Sequence, residues 1–425
     1  MRHVASEGGA PRPVGASRNA LAAVLLTVLI DTIGFGIVIP VLPQLIVELT
    51  GDSLALATRD GGYLLVTYAV MQFFFGPVMG SLSDRFGRRV VILASLAAFG
   101  TDYLVMALAP TLAWLFVGRA VAGMSGAVYA AANAFIADIT PAGDRAKSFG
   151  LVGAMFGLGF ILGPAMGGLL GELGPRAPFF ASALLAFLNL IYAFLVLPET
   201  LPPERRRPFV LRRANPFGTF ASLARRGGVL GLAAAMFLWQ LAHQVYPSTW
   251  SFFTKIRFGW SEAEIGASLA LVGVTMAVVQ GGLTGRLVGR WGERRAAFLG
   301  LTVGTLAFVA YGLAMRSWML YGIILFAALQ GLVYPSMNAL LSRRVSEDQQ
   351  GELQGGIASL YSLATIIGPL VMTQALSRFS AADARVHLPG AAFFLAAALA
   401  VVSGWMLARS LPGRPARVGT DSDLT

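Results

Sequence analysis

Apolar runs of roughly 20 residues, the length that spans a bilayer as a helix, recur along almost the whole chain and constrain its fold more than any other feature. Twelve can be placed. They cover residues 20–48, 60–80, 90–109, 112–138, 148–170 and 178–198, then 228–252, 263–285, 296–315, 318–341, 353–377 and 390–410. Short polar connections separate them. Of the 425 residues, 56% are hydrophobic and 12% charged, about half the charged share of a soluble domain. Mean hydropathy is +0.70. The spacing predicts an all-α membrane protein with twelve transmembrane helices, since only helices and closed barrels satisfy their backbone in lipid. No segment is left for a sizeable soluble domain.

The charges fix an expected orientation. Of the 32 Lys and Arg, 24 fall on one set of connections and termini, seven on the other, and Arg119 lies within a span. The positive-inside rule puts the rich set, and both termini, in the cytoplasm. Basic loops beside a membrane account for the net charge of +11 without a nucleic-acid partner. The chain has no Cys, which excludes disulfides, thiol catalysis and Cys-ligated metal. Residues 1–19 are polar and basic and lack the core and cleavage site of a signal peptide.

The longest polar stretch, residues 199–227, holds ETLPPERRRPFVLRRANPFGTFASLARRG. It is read as a cytoplasmic linker with a short surface helix near Pro216 to Arg226. The expected organisation is a tail over 1–19, a six-helix bundle over 20–198, this linker, a second six-helix bundle over 228–410 and a tail over 411–425. A shift of 205 residues supports the division: it superimposes Gly80, Leu82, Arg85, Gly87 and Arg89 on Gly285, Leu287, Arg290, Gly292 and Arg294, and Gly163-Pro164 on Gly368-Pro369.

Three local patterns carry chemistry. GSLSDRFGRR between two apolar runs contributes Gly80, Asp84, Arg85, Gly87, Arg88 and Arg89. An acid at a helix end can pair with basic groups in one conformation and release them in another; a plain topology-setting basic loop is the simpler alternative. GFILGPAMGG contributes Gly159, Gly163, Pro164, Gly167 and Gly168, small residues at four-residue spacing that let helices approach closely. Asp31, Asp102 and Arg119 are charges within spans, where ionised groups are costly and face the bundle interior. A carboxyl group withdrawn from water favours its neutral form, the property a proton carrier needs; a structural ion pair or polar lock is the alternative. Asn133, Gln240, His243, Gln244, Gln280 and Asn338 are further polar groups in spans that could line a substrate cavity, although a lone His is more often a packing residue. Asp138 is expected at the cytoplasmic interface.

GSLSDRFGRR resembles the loop signature of the major facilitator superfamily, and GFILGPAMGG that of its drug/proton antiporters. LFVGRAVAGMSGA, with Arg119, Gly123 and Gly126, resembles the fourth-helix signature of proton antiporters. IDTIGFGIVIPVLPQL, TDYLVMALAP and GELQGGIASL resemble the tetracycline/proton antiporters in particular. The resemblance implies two six-helix pseudo-repeats around a central cavity, and an alternating-access exporter in a bacterial inner membrane. It exchanges an inward-moving proton for an outward-moving drug, tetracycline chelated to a divalent metal. The metal arrives only with the substrate; no bound metal, cofactor or enzymatic group is implied, and a monomer suffices. Asp31 and Asp102 match the family's first-half carboxylates, with Arg119 beside them, and Gln280 a polar eighth-helix position. Met276 stands where the family has a His, and Gly304 where it has an Asp. Coupling would then rest on Asp31, Asp102 and Arg119. Export or import of another amphiphilic drug or small metabolite is the alternative.

Overall fold

The computed structural model describes residues 14–126, 128–208, 229–346 and 349–411. Among the described residues the regular structure is helical throughout. The N-terminal helices are α1 (Val14–Val38), α2 (Leu42–Thr50), α3 (Leu54–Phe86), α4 (Arg88–Leu108), α5 (Leu112–Ser125), α6 (Val128–Ile139), α7 (Arg145–Gly171) and α8 (Ala177–Val196). The C-terminal helices are α9 (Leu230–His243), α10 (Val245–Phe258), α11 (Glu262–Val278), α12 (Thr284–Leu313), α13 (Ser317–Ala327), α14 (Val333–Ser342), α15 (Gln350–Ser380) and α16 (Ala391–Ser410).

Local chemistry sets where helices stop. The expected span 20–48 ends at Val38, because Pro40 and Pro43 each lack an N–H; Pro43 then sits in the first turn of α2. Gly51 (φ 71) closes α2, its N–H donating to Val47 O at 2.8 Å. Ser53 caps α3. At the head of α11 Ser261 and Glu264 form a reciprocal box, in which each side chain accepts the other's N–H, at 3.3 and 2.9 Å, the arrangement that satisfies two orphan donors at once. The expected tail over 1–19 is helical from Val14 on; its remainder, the predicted surface helix near 216–226 and residues 412–425 lie outside the described residues.

Among the described residues ten helices are long and apolar enough to cross a membrane, against twelve expected spans. The difference has two sources. Residues 230–258 come as two helices of 14 residues, joined at Gln244. Glu262–Leu313 is one run of 52 residues that covers two expected spans; Gly292 (φ 77, ψ 159) breaks it internally. Gly87 (φ 110, ψ 157), between α3 and α4, is the same position one repeat earlier. Both conformations are open only to glycine at low cost.

Helices of the two groups meet at the end of the molecule that carries Gly51, Gly171 and Gly259. There Ser251 Oγ donates to Ile39 O at 3.1 Å, the Ala263 N–H to Glu172 Oε1 at 3.3 Å, and Gln374 Nε2 to the Tyr63 hydroxyl at 3.0 Å. Large apolar side chains such as Leu169, Leu173, Leu195, Met315 and Trp318 point outward, as a bilayer solvent requires.

Candidate functional site

Three charges gather among the N-terminal helices. Asp102 on α4 and Arg119 on α5 form a buried ion pair, the guanidinium donating to Oδ2. The carboxylate can approach α5 this closely because Gly118 has no side chain: a Cβ there would collide with Asp102 Oδ1. That oxygen and Arg119 Nε have no hydrogen-bond partner among the described residues. The Arg119 guanidinium also faces the Tyr68 ring, 5.9 Å from its centroid. Gln72 Nε2 donates to the Tyr68 hydroxyl at 3.2 Å and to Gly126 O at 3.4 Å. Asp31 on α1 differs. It is half-buried, and no hydrogen bond or ion pair reaches its side chain among the described residues. Tyr103 stands over α1 one turn further on, its ring 3.6 Å from where a Gly34 Cβ would lie.

Beside this cluster lies a cavity of about 60 Å³, lined by Phe35, Leu65, Tyr103 and Arg119 on one side and Ser248 and Phe252 on the other. That volume suits a few waters, well short of a drug-sized site. None of the six predicted cavity residues lines it. Gln240 and Gln244 are buried, the latter packed over Gly368. His243 packs between Trp239 and Tyr246, tilted against the first at 5.8 Å and edge-on to the second at 5.1 Å. Asn338 Oδ1 accepts from Gln354 at 3.1 Å. Asn133 is half-buried, and Gln280 is exposed near Gly331 with Met276 beside it. A Cβ on Gly304 would meet the Trp239 ring at 2.5 and 2.9 Å, so an indole occupies the space an acid would need there.

The basic loop forms its own network. Arg88 donates to Asp84 at 2.6 Å, to Ser83 at 3.1 Å and to Asp138 at 3.3 Å. Asp138 thus sits with the loop, and it also accepts from Thr200 at 3.2 Å. Arg85 lies over the Phe86 ring and Arg89 over that of Phe194. The residue sequence reading missed is Glu199. Its carboxylate accepts the N–H groups of Arg88 and Arg89 at 2.9 and 3.3 Å, an anion at the N-terminus of α4 where orphan donors and the helix dipole favour it. A Cβ on Gly87 would collide with it, so that glycine answers both a backbone angle and a neighbour. Gly80 has open space around it. The only sequence signal was an acid opening a polar stretch.

The glycines of GFILGPAMGG divide by face. Gly159, Gly163 and Gly167 lie against α1, at Thr32, at Ile33 O and Gly36, and at Ile37. Gly168 faces α11 instead, at Glu262 and Gly266, and Pro164 O points at Gly266.

A helical bundle with buried charge and close-packed glycine seams is a build that secondary transporters use. The family model described as Major Facilitator Superfamily matches residues 24–369 and 257–424. Among curated proteins the tetracycline resistance protein, class C, of Escherichia coli is 44% identical over 358 residues, 84% of this chain and 89% of its own. The class G protein of Vibrio anguillarum is 41% identical over 388 residues, 89% of this chain and 96% of its own. Among solved structures, the human organic anion transporter MFSD10 (TETRAN) superimposes with a TM-score of 0.66 at 27% identity, covering 93% of this chain and 100% of that one. The nucleoside transporter NupG reaches 0.74 at 12%, covering 92% and 99%, which shows the fold alone. The chain belongs to the major facilitator superfamily, and within it to the tetracycline resistance proteins. It is a multi-pass membrane transporter of the drug-efflux class.

Proposed function

We propose that this chain exports tetracycline, carried as its divalent-metal chelate, in exchange for protons by alternating access. The observation that carries the reading is the unequal state of the two acids. Asp31 is half-buried and has no hydrogen-bond or ion-pair partner among the described residues, so it is free to take and release a proton. Asp102 is committed to Arg119 and holds that cation in place. Asp31 is therefore the proton carrier, and the Asp102–Arg119 pair keeps a fixed charge beside it. On this reading the run of 52 residues at 262–313 supplies two crossings and the paired helices at 230–258 supply one, giving twelve in two bundles of six. Both termini and the GSLSDRFGRR loop face the cytoplasm of a bacterial inner membrane, and the monomer is the working unit. The Arg88 network then lies on the cytoplasmic face.

A second reading has support in two positions. Met276 and the indole-filled site at Gly304 replace ionisable groups the tetracycline family carries, which favours another amphiphilic drug or metabolite. Liposomes holding the purified protein and an interior pH dye separate the two. Proton flux on adding tetracycline with Mg²⁺, absent in Asp31→Asn, supports the first. Flux with other amphiphilic drugs alone leaves proton antiport and discards tetracycline. Undiminished flux in Asp31→Asn overturns the role given to Asp31.

A further inference from the structure

Two seams hold the helix groups together at their closed end, and they are related by the 205-residue repeat yet built differently. In the first, Gly168 of α7 lies against α11. A Cβ on Gly168 would sit 2.5 Å from Glu262 O, 3.0 Å from Ala263 Cα and 3.1 Å from Gly266 Cα; one on Gly266 would sit 3.0 Å from Gly168 Cα. Everything in the way is backbone. In the second seam Gly62 of α3 lies against α15. A Cβ on Gly62 would collide with Thr373 Oγ1 and sit 2.9 and 3.0 Å from its Cβ and Cγ2. Here everything in the way is one side chain. The repeat maps Gly168 onto Thr373 and Gly266 onto Gly61, the neighbour of Gly62; Gly61 itself faces the Phe252 ring, so the two seams use corresponding stretches one residue out of register, and a hydroxylated side chain stands in the second where the first has a glycine.

Thr373 cannot easily turn aside. It is 1% exposed, β-branched and therefore stiff at χ1, and its hydroxyl donates to Pro369 O at 2.6 Å. Pro369 leaves α15 without one N–H, and the Thr373 bond fixes the side chain on that same turn. One residue further, Gln374 donates to Tyr63 across the seam, so the Gly62–Thr373 contact also sets the register of the polar bond beside it.

We propose that the combined volume at Gly62 and Thr373 is the latch that sets how often this end of the molecule is shut, while the Gly168–Gly266 seam is a rigid stop. The latch rests on the alternating-access reading. It requires the pair to have the right total size, not either residue by identity. An added methyl at position 62 is overpacking of a buried contact; the bundles relieve it by parting at this end. Trimming the threonine makes room for it.

The absence of Cys makes the test direct. Spin labels on Asp52→Cys and Asp383→Cys, one from each helix group at this end, report the gap by pulsed electron resonance. Wild type should show short and long distances whose ratio responds to pH and drug. Gly62→Ala should raise the open-to-closed ratio by roughly tenfold, and adding Thr373→Gly to it should return the ratio to near wild type. Thr373→Leu, which wedges the seam without touching Gly62, should open it likewise and serves should Gly62→Ala express poorly. Thr373→Val, of equal size, should open it far less. Unchanged ratios in Gly62→Ala and Thr373→Leu, or a double variant no more closed than Gly62→Ala, would overturn the latch while leaving alternating access standing. A single invariant distance in wild type under every condition would overturn both.

Discussion

The N-terminal and C-terminal helices share a backbone plan and differ in chemistry. Positive-φ glycines recur at 87 and 292, and Gly-Pro at 163–164 and 368–369. Between these landmarks the first group carries Asp31, Asp102 and Arg119, whereas the second packs Trp239, His243, Tyr246, Trp250, Phe308, Tyr311 and Phe393 into a continuous aromatic cluster. The comparison teaches that a repeat preserves what the backbone needs, turns and close approaches, and lets the interior diverge. A charge in lipid must be paired or face the interior; an aromatic core has no such demand, so one group can be packed as an aromatic scaffold while the other holds the buried charges.

The widest gap should appear between the two acids. Asp102→Asn strips the buried Arg119 of its counter-charge and should lower stability by about 3–5 kcal/mol, read as thermal unfolding in detergent. Asp31→Asn has no partner to lose and should unfold near wild type. Equal losses would erase the distinction between a carrier and a fixed pair.

Next comes the attempt to give the second group an acid. Gly304→Asp drives a side chain into the Trp239 ring and should cost about 2–3 kcal/mol, the upper part of the overpacking range. Met276→His, at a half-buried position, should fold near wild type. A stable Gly304→Asp protein would show that the aromatic cluster yields, and would weaken the argument that this group is scaffold.

The repeat-related glycines sharpen the comparison further. Gly292→Ala meets nothing within contact range and should cost only the backbone strain of its positive φ with extended ψ, about 1–3 kcal/mol. Gly87→Ala adds a collision with Glu199 and should cost more. The smallest effect belongs to Glu199→Gln, which keeps the shape of the cap and removes its charge. A loss of about 1 kcal/mol is expected, with faster hydrogen exchange confined to the first turn of α4.

Much of this was legible in the chain. Spans, loop signature and interior charges each follow from hydropathy or motif alone, because lipid punishes an unpaired backbone or a stray charge wherever the chain runs. The breaks were less legible. Pro40 and Pro43 end α1 ten residues before the apolar run stops, and Gln244 divides a run whose composition is unbroken. Sequence reading likewise put the polar groups of the later spans in one candidate cavity, yet Gln244 is spent on packing over Gly368 and Asn338 on Gln354. Hydropathy reports how polar a helix face is, not which neighbour satisfies it.

The sequence by itself determined that this is a helical membrane protein, since the length and apolarity of the runs leave a chain no other way to satisfy its backbone in a bilayer. It also determined the glycine positions, since only that residue tolerates a positive φ or a backbone at van der Waals distance. Tertiary structure alone decided that Asp102 is taken by Arg119 while Asp31 has no hydrogen-bond or ion-pair partner among the described residues, that Glu199 caps the basic loop from 110 residues away, and that Gly168 serves a different seam from Gly167. These depend on which helix faces meet, and that is settled by packing between segments far apart in the chain.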